Sequence, residues 1–284
     1  MLNLTRKREL RAELAAIRRD GRSIALVPTM GNLHAGHIEL VNQARARADF
    51  IVCTIFVNPL QFGAGEDLDA YPRTLAEDIA KLEAASCDCL FAPAVEEIYD
   101  SDLAVATRIH VPDLSDEYCG RSRPGHFDGV ATIVSKLFNL VRPDLAVFGL
   151  KDYQQFLIIQ KLVTDLEFDI ELLGVEIQRE ASGLAMSSRN RYLSATQRVQ
   201  AALIQQTLQS MRKQLEAGAR DFRAIETAAK DRLSAAGFDV DYLSISAATT
   251  LRRAEPGERQ LVILTAARLG PTRLLDNIRF ALHD

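Results

Sequence analysis

Nowhere in the 284 residues do about 18 apolar side chains run together, the length a helix needs to cross a bilayer, so no membrane partner is expected. Residues 1–22 are charged and amphipathic and lack an apolar core of signal-peptide length, which predicts a cytoplasmic protein. Charge of one sign is also missing. The balance of 34 basic against 38 acidic residues leaves a net charge of −4 and a pI near 5.8. That gives no global footprint for nucleic acid or an acidic membrane surface. Cysteine is scarce: Cys53 falls in an apolar run, Cys87-x-Cys89 opens another, and Cys119 lies in a polar loop, a pattern that predicts buried, reduced thiols. The remaining histidines, His110, His126 and His283, are too scattered to complete a structural zinc site with His34 and His37, so no protein-only metal site is expected. No internal repeat or low-complexity tract is present.

What is there is a globular composition, 48% hydrophobic and 25% charged, on a chain long enough for two ordinary domains. The central stretch is Val27-Pro28-Thr29-Met30-Gly31-Asn32-Leu33-His34-Ala35-Gly36-His37. Residues 24–27 form a continuous apolar run of the kind found in a parallel strand buried on both faces, and Pro28 is expected to end it. Gly31 and Gly36 allow backbone to approach a ligand closely. The helix expected over residues 36–48 points its first N–H groups back at the turn, an end that attracts anions. His34 and His37, three apart, share one face of its first turn. Read chemically, this is a nucleotide phosphate cradle; read blandly, it is a polar loop with one capping histidine.

Apolar spacing predicts a surface helix over residues 4–20 and strands over 50–57, 87–92, 105–111, 145–150 and 170–177, with helices between them. Thr74 and Glu77 have the spacing of a capping box for a helix ending near residue 86. Residues 60–72 are rich in Gly, Asp and Glu and read as a functional loop, and the segment 59–71 is expected to close over a site. Alternating strands and helices predict an α/β fold, a Rossmann-like parallel sheet whose ligands collect at the carboxyl ends of the strands. The turn after Val27, the Asn58-Pro59 loop and the Gly149 turn all leave such ends. Beyond Arg189 a long helix (195–217), a second helix (221–236) and three short strands suggest a smaller α+β domain, giving domains 1–181 and 182–284, the second closing over the site.

Other segments carry chemistry only jointly. Gly149-Leu150-Lys151-Asp152 leaves a strand, with Lys151 in reach of phosphate oxygens, Asp152 a possible helix cap and Gln155 on the first helical turn; an ordinary strand-to-helix turn fits as well. Met186-Ser187-Ser188-Arg189-Asn190 groups two hydroxyls with a guanidinium, suited to polyphosphate but equally to a solvated cap. Asn58-Pro59-Leu60-Gln61-Phe62 is either a plain turn or a binding loop. Arg121-Ser122-Arg123-Pro124-Gly125-His126-Phe127 could be either a solvated loop or a lid over a carboxylate.

Taken together and in this order, these segments, with Tyr71-Pro72-Arg73-Thr74, resemble the pantothenate synthetases, the pantoate-beta-alanine ligase family of the nucleotidylyltransferase superfamily. The histidine pair alone would indicate only the superfamily. The resemblance implies a cytoplasmic homodimer that joins (R)-pantoate to β-alanine with ATP and Mg²⁺, through pantoyl adenylate, releasing AMP and diphosphate. By the same resemblance, Met30, Gly31, Asn32, Leu33, His34, Ala35, Gly36 and His37 bind ATP, with His37 as proton donor. Gly149, Leu150, Lys151, Asp152, Gln178, Met186, Ser187, Ser188 and Arg189 supply the remaining nucleotide contacts. Among these, Lys151, Ser187, Ser188 and Arg189 are the phosphate ligands. Asn58, Gln61 and Gln155 hold pantoate, and Gln61 also meets β-alanine. Leu150 stands where the family often has Glu or Gln, and Gln178 where it often has an apolar residue; both are expected to touch nucleotide through backbone. Two rivals remain at this stage: a nucleotidylyltransferase acting on a phosphorylated precursor, and a nucleotide sensor without turnover. Two neutral amides at Gln61 and Gln155 favour an unphosphorylated acid over the first.

Overall fold

The computed structural model describes all residues except Ala64, Asp100, Ser101, Pro256, His283 and Asp284. The chain folds as two compact units, the first comprising Met1–Leu150 and Ile158–Glu176, the second Lys151–Leu157 and Ile177–Asp284.

In chain order, the elements up to residue 176 are β1 (Leu2–Leu4), α1 (Lys7–Arg19), β2 (Ile24–Thr29), α2 (Ala35–Arg45), β3 (Phe50–Ile55), α3 (Leu75–Ala84), β4 (Cys89–Phe91), α4 (Val95–Ile98), α5 (Cys119–Ser122), α6 (His126–Val141), β5 (Leu145–Gly149), α7 (Tyr153–Asp165) and β6 (Glu171–Val175). The strands form one parallel sheet in the order β1-β4-β3-β2-β5-β6. The strand order reverses between β2 and β5, which sets the crevice for a ligand at the carboxyl ends of those strands. Apolar runs such as Ile24 to Val27 and Phe50 to Cys53 are buried on both faces, as a sheet covered by helices requires. Val27, Ile51, Cys53, Leu40, Val41 and Leu82 join in one cluster between the sheet and the helices α2 and α3.

Several expectations need correction. Pro28 does not end its strand: β2 runs to Thr29, and Pro28 stands opposite Thr54 of β3. The lost N–H is tolerated because pairing with β5, on the other side, stops at Leu26. The segment 105–111 is not a strand. Leu103–Val105 is a 3₁₀ turn capped by Asp102, and the Ile109 N–H donates to Thr132 Oγ1 instead of to a ladder. Leu2–Leu4, too short to show periodicity, is a strand, added at the edge beside β4. Thr74 does not close a capping box with Glu77; its hydroxyl donates to Asp78 Oδ2.

The second unit adds α8 (Ala195–Ala201), α9 (Leu203–Glu216), α10 (Phe222–Ala235), β7 (Asp239–Ala247), β8 (Gln260–Leu269) and β9 (Thr272–Ala281). Its three strands form an antiparallel sheet in chain order. Leu208, Met211 and Leu215 of α9 and Ile225 and Leu233 of α10 pack with Leu243, Ile263 and Ile278 of that sheet in one core. The single long helix expected over 195–217 is two, divided at Ala202.

All four cysteines are buried thiols outside any disulfide, Cys119 included, because its loop forms the short helix α5. Burial pushes the Cys87 thiol up to about 11 and Cys89 up to about 12. Since a buried sulfur is out of a reagent's reach, native protein should leave all four thiols untouched by an aromatic disulfide reagent at mildly alkaline pH, while denatured chain reacts fully. Rapid reaction of any native thiol would contradict this packing.

Candidate active site

The turn after β2 is held from beneath by one carboxylate. Asp78, on α3 and fully buried, accepts the Asn32 N–H at 2.8 Å on Oδ2 and the Leu33 N–H at 2.7 Å on Oδ1. Thr74 Oγ1 donates to the same carboxylate at 3.1 Å, and Lys81 Nζ, one turn further along α3, donates to the Leu33 carbonyl at 2.8 Å. Gly31 (φ 82°) and Asn32 (φ 49°) adopt left-handed backbone to make this approach. A Cβ on Gly31 would sit 3.0 Å from Ile55 Cγ2 and 3.2 Å from Asp78 Oδ2, so the position has neither the dihedral nor the room for a larger residue. Thr29 Oγ1 completes the turn, donating to Thr54 O at 2.7 Å and accepting the Gly31 N–H at 3.2 Å.

The two histidines then cap α2 reciprocally. The Gly36 N–H donates to His34 Nδ1 at 3.1 Å, and the His34 N–H donates to His37 Nδ1 at 3.3 Å. The His37 N–H is taken by the His34 carbonyl at 2.9 Å. The capping reading and the chemical reading of this motif are therefore compatible, and the cap decides the chemistry. A main-chain N–H can only donate, so each Nδ1 carries a lone pair and each neutral imidazole bears its proton on Nε2. The rings lie 4.1 Å apart between centroids. The main-chain donors of Asn32, Leu33, His34, Gly36 and His37 are spent inside the protein. Several of the main-chain N–H groups expected from the sequence to face an anion are thus used within the protein, and the two imidazoles add their Nε2–H groups to the helix dipole at this end.

Beside it, Gln61 is 8% exposed, and its Nε2 lies 2.9 Å from Met30 Sδ, joining the loop after β3 to the turn after β2. Asn58, 1% exposed, uses every polar position it has. Its Nδ2 donates to Gln61 Oε1 (3.2 Å) and Gly129 O (3.0 Å), and its Oδ1 accepts from Leu60 N (3.3 Å) and Tyr99 Oη (2.8 Å). Asn58 thus stands behind Gln61 and orients it. Gly129 of α6 lies directly on this loop, since a Cβ there would be 2.3 Å from Leu60 O. Arg123 grips Glu66 through Nε and Nη2, both at 2.6 Å. Burial raises the Glu66 carboxyl, but the hydrogen bonds and charge of Arg123 outweigh it and hold the group below its ordinary value. Within the basic segment 121–127, Arg123 thus binds one of the protein's own carboxylates, while Arg121 pairs with Glu117 at the surface. His110 is ion-paired with Asp128 (2.8 Å) and Asp116 (3.4 Å), while His283 lies outside the described residues.

At the end of β5, Gly149 has open space around its Cβ position, and Leu150 turns its side chain inward onto Gly174 of β6. In the second unit, Lys151 Nζ lies 3.8 Å from Asp152 Oδ1, and Asn277 Nδ2 donates to the Lys151 carbonyl at 2.9 Å. Asp152 sits in a 3₁₀ turn, Leu150–Asp152, that leads into α7, with Gln155 half-buried on the helix. Met186, Ser187, Ser188 and Arg189 are half-buried, with Ser187 Oγ accepting from the Arg189 N–H at 3.3 Å. The exposed Gln178 accepts the Met186 N–H at its carbonyl, 2.9 Å away. This loop is stapled by Asn190, which donates to Glu180 Oε1 and Ala185 O at 3.0 Å each, while Arg198 holds Glu180 through two bonds of 2.9 Å.

The sequence profile of the pantoate-beta-alanine ligase family matches residues 3–279, nearly the whole chain. The chain belongs to the pantoate-beta-alanine ligase family. Its relatives in that family include the pantothenate synthetase of Pseudomonas entomophila, 55% identical over 277 residues that span 98% of this chain and 96% of that protein. The crystal structure of pantothenate synthetase from Thermus thermophilus is similar at a TM-score of 0.91 and 43% identity, covering 98% of this chain and 99% of that one. The pantoate-beta-alanine ligase of Francisella tularensis, complexed with beta-gamma ATP and beta-alanine, is similar at a TM-score of 0.83 and 30% identity, over 98% of this chain and 97% of that one. The Rossmann-like parallel sheet with a small antiparallel sheet after it is the architecture of these ligases.

Sequence reasoning missed the groups that shape this family member's turn and loop: Asp78, Tyr99, Glu66 and Gly129. For Asp78 a signal existed, a carboxylate spaced four residues from Leu82 on the apolar face of α3. Asp78→Asn keeps the shape but presents an N–H to a main-chain N–H. It should lower unfolding free energy by about 3 kcal/mol in chemical denaturation; a loss well under about 1 kcal/mol would mean the carboxylate does not set the turn. Gly129→Ala should destabilise by an amount in the upper range for single substitutions, because the clash is with backbone.

Proposed function

We propose that the chain catalyses the ATP-dependent condensation of (R)-pantoate with β-alanine to give pantothenate, AMP and diphosphate, the step that completes pantothenate biosynthesis. The observation that carries this reading is kinship to pantothenate synthetases over nearly the full length of both partners. A carboxylate oxygen of pantoate attacks the α-phosphorus of ATP and diphosphate departs, leaving pantoyl adenylate. The amine of β-alanine then attacks the acyl carbon, AMP leaves, and the nitrogen sheds a proton. No protein nucleophile is needed, so the work is positioning and stabilisation of charge on phosphate oxygens.

In this reading the Nε2–H groups of His34 and His37 donate to the phosphates, His37 acting as proton donor, with Lys151, Ser187, Ser188 and Arg189 as further phosphate ligands. Gln61 and Gln155 take the hydroxyls and carboxylate of pantoate, and Gln61 also meets β-alanine. Asn58 is assigned to orienting Gln61, because its own hydrogen-bonding positions are filled. Mg²⁺ would arrive on the phosphates of ATP, since the cradle supplies N–H donors, which do not ligate a cation. A cytoplasmic homodimer is proposed from the family resemblance; sedimentation velocity tests the dimer.

The test of function is diphosphate release from ATP, Mg²⁺ and pantoate, with and without β-alanine. Sustained turnover that needs both acids, with pantothenate and AMP as products, is expected; release with neither would refute the assignment. His37→Ala and Lys151→Ala should each slow adenylate formation by a factor on the order of 10². His37→Gln, which places an amide N–H near the Nε2 position, should recover part of that loss. Equal rates for His37→Ala and His37→Gln would show that no donor acts from that position.

A further inference from the structure

We propose that Arg123 and His126, clamped by Glu66, form a latch that fixes the main chain at Gln61 and are therefore positioning residues for the binding of the hydroxy acid. The inference rests on the reading that Gln61 receives pantoate. Arg123 spends Nε and Nη2 on the Glu66 carboxylate, at 2.6 Å each, and its Nη1 lies 2.9 Å from His126 Nε2. On the other side of the ring, His126 Nδ1 is 2.7 Å from the Gln61 carbonyl. A guanidinium has only donors and a carbonyl only lone pairs, so one arrangement satisfies the chain: a neutral imidazole with its proton on Nδ1, accepting from Arg123 and donating to Gln61.

The remaining contacts divide the labour. Asn58 and Met30 hold the Gln61 side chain, whereas the latch holds its main chain; the Arg123 Nη2 lies 3.4 Å from the same carbonyl. Arg123 and Glu66 are mostly buried, with side chains 14% and 23% exposed, which gives the pair more weight than a surface ion pair. Glu66 belongs to the acidic loop after β3 and His126 is the first residue of α6, so the latch ties that loop to a buried helix across the residue that presents the amide. Rigid support of this kind is what keeps a binding group within the tolerance that affinity requires.

The experiment compares His126→Phe, His126→Asn, Glu66→Gln and Gln61→Ala in steady-state kinetics, with thermal melts confirming the fold. His126→Phe keeps a ring but no donor, and should raise KM for pantoate about tenfold, the scale of one lost hydrogen bond. KM for ATP should move much less. His126→Asn, whose amide N–H falls near the Nδ1 position, should restore most of the pantoate KM, and Glu66→Gln should act in the direction of His126→Phe. A His126→Phe enzyme with unchanged pantoate KM, or with all parameters lowered alike and no rescue by Asn, overturns the latch. If Gln61→Ala itself leaves pantoate KM unchanged, the reading of Gln61 fails, whatever the latch variants do. If Gln61→Ala raises it and His126→Phe does not, that reading stands and the latch alone is refuted.

Discussion

The N–H groups of Asn32 and Leu33 end on one buried carboxylate, Asp78, and the turn and the histidine cap that follow are built on that attachment. A turn that leaves a strand in left-handed backbone has main-chain donors with no ladder to join, and leaving them unpaired in the interior would cost about 1–3 kcal/mol each. The carboxylate meets both at once and draws a threonine hydroxyl to itself, so the path of residues 31–33 is set by α3 and not by a ligand. Once that path is fixed, His34 falls where it caps α2, and His37 follows one turn later. The orientation of the two imidazoles is therefore inherited from a buried ion.

The parallel sheet decides where this arrangement sits. β2 is flanked by β3 and β5, and the order of strands reverses beside it, so the turns after all three open on the same edge. The Gln61 to Met30 contact joins two of those turns directly, and the close approach of Gly129 backs the first of them with helix backbone instead of a compliant side chain. A sheet of this kind gives a site rigid walls at the cost of burying its polar groups deeply. That is why Asn58 and Asp78, two of the more buried polar residues, have all their nearby partners inside the protein.

Much of this was legible in the sequence because it depends on local pattern. Apolar runs located β2, β3 and β5, the glycine and histidine spacing located the turn, and the joint occurrence of the Gln61, Lys151 and Ser187 segments pointed to a family. What escaped was set by partners far along the chain. Asp78 reaches back 45 and 46 residues to the turn, and Arg123 reaches 57 to Glu66, and no spacing rule links such pairs. Residues 105–111 have strand composition but no neighbouring strand, so Ile109 pairs with a helix side chain instead. Pro28 was read from its missing donor alone, whereas its fate depended on which neighbour lay beside it.

The reciprocal cap at His34 and His37 has a thermodynamic consequence. Residues that serve chemistry are commonly a burden on the folded state, and replacing them often stabilises a protein at the expense of activity. Here each imidazole satisfies a main-chain donor at the start of α2 with one nitrogen and keeps its proton on the other. Stability and chemistry draw on opposite edges of the same ring. At these two positions the usual opposition between them disappears, and a drift toward greater robustness has no reason to erode the site.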